Sequence, residues 1–210
     1  MRSKLQYISQ GATDADQYDH IRRALDYGAD WIQLRWKNAT DRQRLRLAER
    51  VQQQCEKYQA ICIINDSIAI AKEVDADGVH LGLDDEKIEK ARRTLGQGKI
   101  IGGTANTIAD VIQRIDEGCD YIGLGPYRIT DTKEKLSPVL GIEGYRKILL
   151  HLNEHRIVIP AIYAIGGVGL DDIPLLLEEG LYGVAVSKTI TDTPAIISEF
   201  KKLLSCANLS

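Results

Sequence analysis

Short apolar runs alternate with longer amphipathic segments along the chain. The apolar runs have the composition of buried strands, and the segments between them carry apolar residues at helical spacing. Strands are predicted at residues 4–9, 31–34, 61–64, 78–81, 99–102, 121–124, 159–164 and 183–186. Helices are predicted at residues 14–27, 41–58, 86–95, 107–117, 142–152, 170–179 and 193–204, with a short helix beginning near Ser67. Alternating strand and helix units in this number predict an α/β protein with a closed (β/α)8 TIM barrel.

An internal repeat supports the same fold. Each copy is a helix stop followed by a short apolar strand, and the copies fall on every second strand. The copies are GADWIQLR from Gly28, DADGVHLG from Asp75, GCDYIGLG from Gly118 and GLYGVAVS from Gly180. Alternate strands of such a barrel fill the same interior layers, so this spacing has a packing reason. The alternative is an open doubly wound sheet, but no GxGxxG opens the first βα unit and no second domain is visible. We therefore expect one (β/α)8 barrel domain over residues 1–210.

Composition and charge exclude several classes of function. The 210 residues are 44% hydrophobic, which is enough for one substantial core. The 27 basic and 30 acidic residues give a net charge of −3, which offers no general attraction to nucleic acid or to anionic membranes. The four cysteines lack disulfide or zinc spacing, and no signal peptide or membrane-spanning stretch is visible. We expect a cytoplasmic protein that acts on small molecules, without nucleic-acid or membrane partners, and assembly into a homo-oligomer stays open.

Two aspartates follow neighbouring strands of the predicted barrel. Asp66 comes directly after the strand at residues 61–64, and Asp85 follows the strand at residues 78–81. Because strands joined through a helix are parallel, both carboxylates emerge at the same face, with the strands only ~5 Å apart. This arrangement predicts a site for one divalent metal ion. The alternative is that each aspartate only caps the helix that follows it.

Polar residues after other strands on this face suggest an anion site beside the metal. Gln33, Arg35 and Lys37 are spaced at period two, so their side chains share one side of an extended segment. Arginine and lysine converging in this way bind anions, although a solvated loop would have the same sequence. After the fifth strand, the sequence Gly-Gly-Thr ends at Thr104. Its glycines would let a ligand approach the backbone, or the motif is only a turn.

A second anion site is predicted from the last three strands. The long segment after the sixth strand carries Thr130, Thr132 and Lys133, whose hydroxyls and ammonium suit phosphate oxygens, although a plain surface loop fits equally well. Gly167 follows the seventh strand and Ser187 the eighth, where many barrels bind a phosphate with backbone amides. Together the two sites suit a substrate pair that carries a diphosphate and a monophosphate.

At this point the sequence resembles the thiamine phosphate synthase family. The resemblance runs the length of the chain, and the ordered set of motifs is specific although each piece alone is not. The motifs are QLRWK at residues 33–37, IINDSIAIA at 63–71, ADGVHLGLDD at 76–85, IIGGTANT at 100–107, DYIGLGPYRITDTK at 120–133, AIGGV at 164–168 and GVAVSK at 183–188. The resemblance implies an enzyme that joins a hydroxymethylpyrimidine diphosphate to a thiazole phosphate, giving thiamine phosphate and pyrophosphate.

The same resemblance implies a role for each site residue. Mg²⁺ would be held by Asp66 and Asp85. The diphosphate would be bound, and its departure catalysed, by Arg35, Lys37, Asn65 and Lys133. The pyrimidine would be contacted by Gln33 and Thr104. The thiazole and its phosphate would be contacted by Thr130, Thr132, Gly167, Val186 and Ser187. The implied chemistry is dissociative, which agrees with many charged groups for a leaving diphosphate and no nucleophile triad in the sequence.

The chain departs from the family pattern at several positions. Trp36 stands where the family usually has glutamate, Arg128 and Ile129 replace an aromatic-proline pair, and Asn106 replaces a frequent histidine. A related thiazole tautomerase of the same fold relies on a histidine where this chain has Asn106, so an isomerase is the first alternative. A non-catalytic phosphate-binding relative is the second alternative. His80 lies inside a strand motif and is interpreted as a hydrogen-bonded structural residue rather than a base.

Overall fold

The computed structural model of the chain describes residues 3–129 and 138–206, and for Cys206 it describes the backbone alone. Its parallel strands form a closed barrel in chain order, in which β8 pairs with β1 through Leu5 and Val184. The strands are β1 Leu5–Ile8, β2 Trp31–Leu34, β3 Ile61–Asn65, β4 Gly78–Leu81, β5 Ile100–Ala105, β6 Tyr121–Leu124, β7 Ala161–Ile165 and β8 Gly183–Val186. The predicted (β/α)8 barrel is confirmed, and the open-sheet alternative is wrong. The assignment of residues 1–210 to one domain stays a prediction.

The helices between the strands also follow the sequence pattern, with one exception. They are α1 Asp14–Asp26, α2 Asp41–Tyr58, α3 Ile68–Glu73, α4 Ile88–Leu95, α5 Ile108–Asp116, α6 Gly141–Glu154, α7 Ile173–Glu178, α8 Lys188–Asp192 and α9 Ile197–Cys206. The exception is α8, which the sequence interpretation missed because five residues are too few to show helical periodicity. Among the described residues, no helix has the length and apolar character needed to cross a membrane.

Threonines fix where three of the helices begin. Thr13, Thr40 and Thr107 each accept a hydrogen bond from the backbone N–H three residues later. The side chain at that third position bonds back to the threonine backbone, which completes a capping box. These local bonds determine the helix starts independently of the barrel.

Aromatic side chains fill the amino-terminal end of the barrel interior. Trp31 and Tyr163 pack edge to face with ring centroids 5.0 Å apart, and Tyr121 packs against both. Trp31, Tyr121, Tyr163 and Ile63 form one fully buried cluster, separate from the core between the barrel and the helices. Because this end is closed, a ligand can reach the interior only from the carboxyl ends of the strands.

Tyr121 also explains a glycine that sequence reasoning misinterpreted. A Cβ atom at Gly102 would lie 2.2 Å from the Tyr121 ring, and one at Gly103 would lie 2.6 Å from Cδ of Arg114. The expectation that these glycines let a ligand approach the backbone is therefore wrong. They make room for side chains of neighbouring elements.

Candidate active site

The two predicted metal-binding carboxylates meet at the carboxyl ends of β3 and β4. The side chains of Asp66 and Asp85 lie within hydrogen-bonding distance of each other. Burial of Asp66 and its closeness to Asp85 raise the pKa of Asp66 to about 6, although the positive charges of Lys37 and Arg35 oppose the rise. Two acidic groups placed so close favour either a shared proton or a bound cation.

Neither aspartate caps a helix. The hydroxyl of Ser67 accepts the capping bond of α3 from the backbone N–H of Ile70, and α4 begins after Lys87 without a side-chain cap. Asp85 instead accepts a hydrogen bond from the backbone N–H of Gly82 at 2.6 Å. Asp66 has a left-handed backbone with φ of 65° and donates its N–H to the carbonyl of His80 at 2.9 Å. The capping alternative is wrong, and the uncommon backbone of Asp66 is typical of functional sites.

The carboxylate pair suits an ion that takes most of its ligands from elsewhere. In residues 3–129 and 138–206, no three histidine, cysteine or acidic side chains are grouped as a metal site. Mg²⁺ is usually held by one or two carboxylates, with substrate phosphates and water completing its coordination. Asp66 and Asp85 therefore fit Mg²⁺ in the presence of a phosphate ligand.

The basic residues after β2 lie beside this pair. Arg35 is partly buried, and this burial lowers its pKa while the charge of Asp66 counteracts the effect. Lys37 is exposed and acts electrostatically on Asp66. Trp36, between them, is only 9% exposed and packs in the core that the barrel shares with the helices. The unusual tryptophan therefore changes the core behind the site, while both cations remain beside the carboxylates.

A buried amide pair lies deeper in the barrel mouth. Gln33 donates from Nε2 to Oδ1 of Asn65 at 2.8 Å, and Gln33 is only 2% exposed. Its other amide atom, Oε1, has no hydrogen-bond partner within the described part of the chain. Burying an unsatisfied amide oxygen costs ~1–3 kcal/mol, so this atom is a ready acceptor for a ligand's N–H group.

Thr104 is the end of a hydrogen-bonded chain inside the barrel. Its Oγ1 lies 3.0 Å from Nε2 of His80, and Nδ1 of the same ring lies 3.0 Å from the hydroxyl of Tyr121. That hydroxyl accepts from Nε2 of Gln6 at 3.2 Å. The interpretation of His80 as a hydrogen-bonded residue is confirmed. Sequence reasoning missed Gln6 and Tyr121, because only the closed barrel brings the two strands that carry them together.

The threonines and the lysine of the predicted phosphate loop, Thr130, Thr132 and Lys133, lie outside the described residues. Residues on both sides of them are tied to neighbouring backbone. Arg128 donates its N–H to the carbonyl of Gly166 at 2.9 Å, and Gly141 donates to the carbonyl of Tyr127 at 3.1 Å. Arg128 is thus held at the end of β7, and Gly141 is held against the segment that follows β6.

An ion pair that sequence reasoning missed strengthens this attachment. The guanidinium of Arg128 binds both carboxylate oxygens of Asp172, at 2.5 and 2.6 Å, and also donates to the carbonyl of Gly167 at 2.9 Å. Burial of Asp172 opposes ionisation, but hydrogen bonds from Arg128 and from the Gly169 N–H hold its pKa below the usual value. Arg128 therefore links the segment after β6 to the glycine turn after β7.

The other residues predicted to bind the phosphate, Gly167, Ser187 and Val186, lie in three different environments. Gly167 is exposed with φ of 72°, a conformation that favours glycine. Ser187 donates its hydroxyl hydrogen to the carbonyl of Ile8 at 2.7 Å, so this hydrogen is already used within the barrel. Val186 is buried in the core between barrel and helices, which leaves its backbone as the part that faces a ligand.

The amide of Asn106 donates to the carbonyl of Gly125, in place of the histidine that the tautomerase alternative requires.

Comparisons with known proteins identify one family. The family model described as thiamine monophosphate synthase matches residues 5–190. A thiamine-phosphate synthase from Flavobacterium johnsoniae is 53% identical over 204 residues, covering 97% of this chain and 93% of the relative. A thiamine-phosphate synthase from Phocaeicola vulgatus is 45% identical, with coverage of 96% and 97%. The solved thiamine phosphate pyrophosphorylase from Pyrococcus furiosus superposes with a TM-score of 0.82 at 31% identity, covering 99% of this chain and 97% of that one.

Proposed function

Because this chain belongs to the thiamine monophosphate synthase family and forms thiamine phosphate, we propose how its residues divide the work of that reaction. The substrates are a hydroxymethylpyrimidine diphosphate and a thiazole phosphate, and the second product is pyrophosphate. The close pair of carboxylates at Asp66 and Asp85 is the observation that carries the proposal. A pure phosphate-binding relative or a tautomerase has no use for two facing acidic groups beside a cluster of cations.

Asp66 and Asp85 hold Mg²⁺ in this proposal. Their facing carboxylates and the raised pKa of Asp66 support it, because a divalent cation would relieve both the burial of the charge and the repulsion. When bound, the ion neutralises negative charge on the diphosphate oxygens. Arg35, Lys37, Asn65 and Lys133 hold the same diphosphate and stabilise the charge that grows on it as it leaves.

The pyrimidine lies against the barrel mouth, where Gln33 and Thr104 contact it. Oε1 of Gln33 supports this, because it has no hydrogen-bond partner among the described residues and can accept a hydrogen bond from the exocyclic amino group. The thiazole phosphate lies at the ends of β7 and β8. Its proposed contacts are Thr130, Thr132, Gly167, Val186 and Ser187, with the backbone N–H of Ser187 as donor because its hydroxyl is used by Ile8.

The proposed chemistry is dissociative. The carbon–oxygen bond between the pyrimidine methylene and the diphosphate breaks, and its electron pair leaves with the diphosphate. The thiazole nitrogen then forms the new carbon–nitrogen bond with its lone pair. The protein contributes position and charge rather than a covalent nucleophile.

Product analysis and calorimetry test the proposal together. Mixing both substrates with Mg²⁺ should give thiamine phosphate and an equal amount of pyrophosphate. Titration with pyrophosphate should show binding that needs Mg²⁺ and is lost in Asp66→Asn. Pyrophosphate binding that is the same without metal would contradict the assignment of the two aspartates.

A cytoplasmic location and a single domain over residues 1–210 belong to the same proposal. The charge balance and the three free cysteines in the described part of the chain, Cys55, Cys62 and Cys119, support the location. The closed barrel formed by the described residues supports the single domain.

A further inference from the structure

A buried arginine lies behind the exposed connection that carries Asp85. Residues 82–87 join β4 to α4, and all of them except Gly82 are exposed. We infer that Arg114 of α5 is a positioning residue for the metal site. It bridges the backbone carbonyls of Gly82 and Thr104, and this bridge holds Asp85 opposite Asp66. The inference rests on the proposed function for the identity of the bound ion, whereas the bridge itself is made by the chain alone.

The hydrogen bonds of Arg114 have only one possible direction. Its Nε donates to the carbonyl of Thr104 at 3.0 Å, and its Nη2 donates to the carbonyl of Gly82 at 2.9 Å. Its Nη1 forms an ion pair with Oε2 of Glu117 at 2.6 Å. A guanidinium stays charged and only donates, and a carbonyl oxygen only accepts. The bridge therefore does not depend on the protonation of a neighbouring group.

The bridge continues the link between β4 and β5 beyond their last paired residues. Their register ends with Leu81 opposite Gly103. Gly82 and Thr104 are the next residue on each side. Thr104 is still part of β5, which pairs with β6 on its other side. Arg114 thus fastens the first residue of the exposed connection to a strand that the barrel holds in place.

Gly82 connects the bridge to Asp85. The carbonyl of Gly82 accepts from Arg114, and the N–H of Gly82 donates to Oδ2 of Asp85 at 2.6 Å. Because Asp85 is exposed, packing contributes little to its position, and this hydrogen bond sets where its carboxylate lies. Mg²⁺ needs near-ideal octahedral geometry with oxygen ligands at about 2.0–2.1 Å, so a small displacement of Asp85 weakens the site. Mutation of a group that orients a metal ligand commonly lowers metal affinity by roughly ten- to a hundredfold.

The space around Arg114 is shaped for this side chain. Arg114 is only 3% exposed, and a Cβ atom at Gly103 would lie 2.6 Å from its Cδ. Glu117, whose side chain is 25% exposed, supplies the opposite charge. A buried cation is costly unless it is paired and hydrogen-bonded. An ion pair with Glu117 alone could form on the surface of α5, whereas the two carbonyl bonds require burial between α5 and the strand ends.

Amide hydrogen exchange tests the bridge without metal or substrate. Arg114→Lys keeps a positive charge near Glu117, but a compact ammonium does not span two carbonyls as a planar guanidinium does. The Gly82 amide should exchange about three- to tenfold faster in this variant, as expected for the loss of one hydrogen bond. The Asp66 amide, which donates to the His80 carbonyl at 2.9 Å, is the internal reference and should keep its wild-type rate.

Glu117→Gln is the matched control variant. It removes the charge of the ion pair, and Nε and Nη2 of Arg114 can still bond both carbonyls. We expect it to lower the free energy of unfolding without changing the exchange of the Gly82 amide. This control is needed because metal binding stabilises a weakened protein, so that lost stability alone can resemble a changed metal requirement.

Calorimetry with Mg²⁺ at saturating pyrophosphate tests the consequence for the metal. Arg114→Lys should weaken Mg²⁺ affinity by about tenfold, and Glu117→Gln should weaken it by less than about twofold. Turnover of Arg114→Lys should need more Mg²⁺ by the same factor and approach the wild-type rate at high Mg²⁺, with KM for the thiazole phosphate unchanged. Gly103→Ala, whose Cβ atom displaces the Arg114 side chain, is a second variant and should shift the Mg²⁺ requirement in the same direction.

Three results would overturn the inference. An unchanged exchange rate of the Gly82 amide in Arg114→Lys would show that the bridge does not hold the connection. Wild-type Mg²⁺ affinity in Arg114→Lys, or in Gly103→Ala should the lysine variant not fold, would show that Asp85 is positioned without the bridge. An equal loss of affinity in Glu117→Gln would assign the effect to the ion pair of α5.

Failure of the proposed function is distinct from all three results. In that case the wild-type protein would bind pyrophosphate equally well without Mg²⁺. The exchange of the Gly82 amide would still decide whether Arg114 holds the connection between β4 and α4.

Discussion

The facing carboxylates of Asp66 and Asp85 predict a variant that gains stability while losing activity. Asp85→Asn keeps an oxygen that can accept from the Gly82 N–H but removes the charge facing Asp66. Without a metal, we expect the variant to be more stable than the wild type at pH 8, because an unfavourable charge interaction is gone. A residue that was only a turn or cap would show the opposite sign.

The magnitude follows from the pKa of Asp66, which rises from 3.8 to about 6. At ~1.4 kcal/mol per pKa unit this shift corresponds to about 3 kcal/mol from all causes. Burial is the largest cause, and Asp85 is exposed to solvent, so we assign about 1 kcal/mol to the charge of Asp85.

The pH dependence has a definite sign. A carboxyl with a raised native pKa binds its proton more tightly in the folded than in the unfolded protein, so wild-type stability falls as pH rises from about 4 to about 6. The penalty is complete above that range and absent below it. The advantage of Asp85→Asn should therefore be about 1 kcal/mol at pH 8 and close to zero at pH 4.

Urea unfolding of the metal-free protein at both pH values measures the difference. Asp116→Asn removes one charge from an exposed site at the end of α5 and should change stability by less than about 0.5 kcal/mol. With Mg²⁺ and pyrophosphate, the wild type should gain stability and Asp85→Asn should gain far less. Turnover of the variant should fall at least about a hundredfold. A variant that is less stable than the wild type at pH 8 would refute the reasoning.

Three further predictions concern the phosphate-binding side of the barrel. Lys133→Ala should slow single turnover by roughly ten- to a hundredfold with both substrates saturating, because we propose that its ammonium interacts most strongly with the diphosphate as it leaves; wild-type turnover would make it an ordinary loop lysine. Ser187→Ala should lower the free energy of unfolding by about 1 kcal/mol through the lost bond to β1. Because this bond holds the segment whose backbone N–H we propose as the phosphate donor, the variant should also raise KM for the thiazole phosphate, with pyrophosphate affinity unchanged in calorimetry. Arg128→Met should raise KM for the thiazole phosphate at least about threefold, whereas Arg146→Met, which breaks a comparable pair with Glu179, should leave KM unchanged.

Much of the architecture could be predicted because it is encoded locally. Apolar runs predict the strands, and capping threonines such as Thr40 predict where helices begin. The order of the units along the chain then defines the barrel. The meeting of Asp66 and Asp85 was predictable for the same reason, since parallel neighbouring strands must end on one face. The helix α8 was not predictable, because its five residues carry no periodic signal.

The contacts that were missed depend on side chains from distant parts of the chain. Arg128 and Asp172 are joined only after β6 and β7 have paired, and Gln6 reaches Tyr121 across the closed barrel. The bond from Ser187 to Ile8 likewise needs β8 to close on β1. The sequence pattern identifies the polar residues at strand ends. It does not show which of them form hydrogen bonds or ion pairs with one another.

The close fit of Tyr121 against Gly102 constrains the evolution of this protein. Any side chain at position 102 would meet the ring, so a larger residue there can be accepted only after the ring has been lost. Losing the ring opens the barrel interior and removes the hydroxyl that connects Gln6 to His80 in the hydrogen-bonded chain to Thr104. Substitutions at Gly102 and Tyr121 are therefore coupled, because the ring must be lost before a larger residue can occupy position 102. A lineage that rebuilt the interior of this barrel would at the same time have to replace the hydrogen bonds that hold Thr104, the residue for which we propose a contact with the pyrimidine.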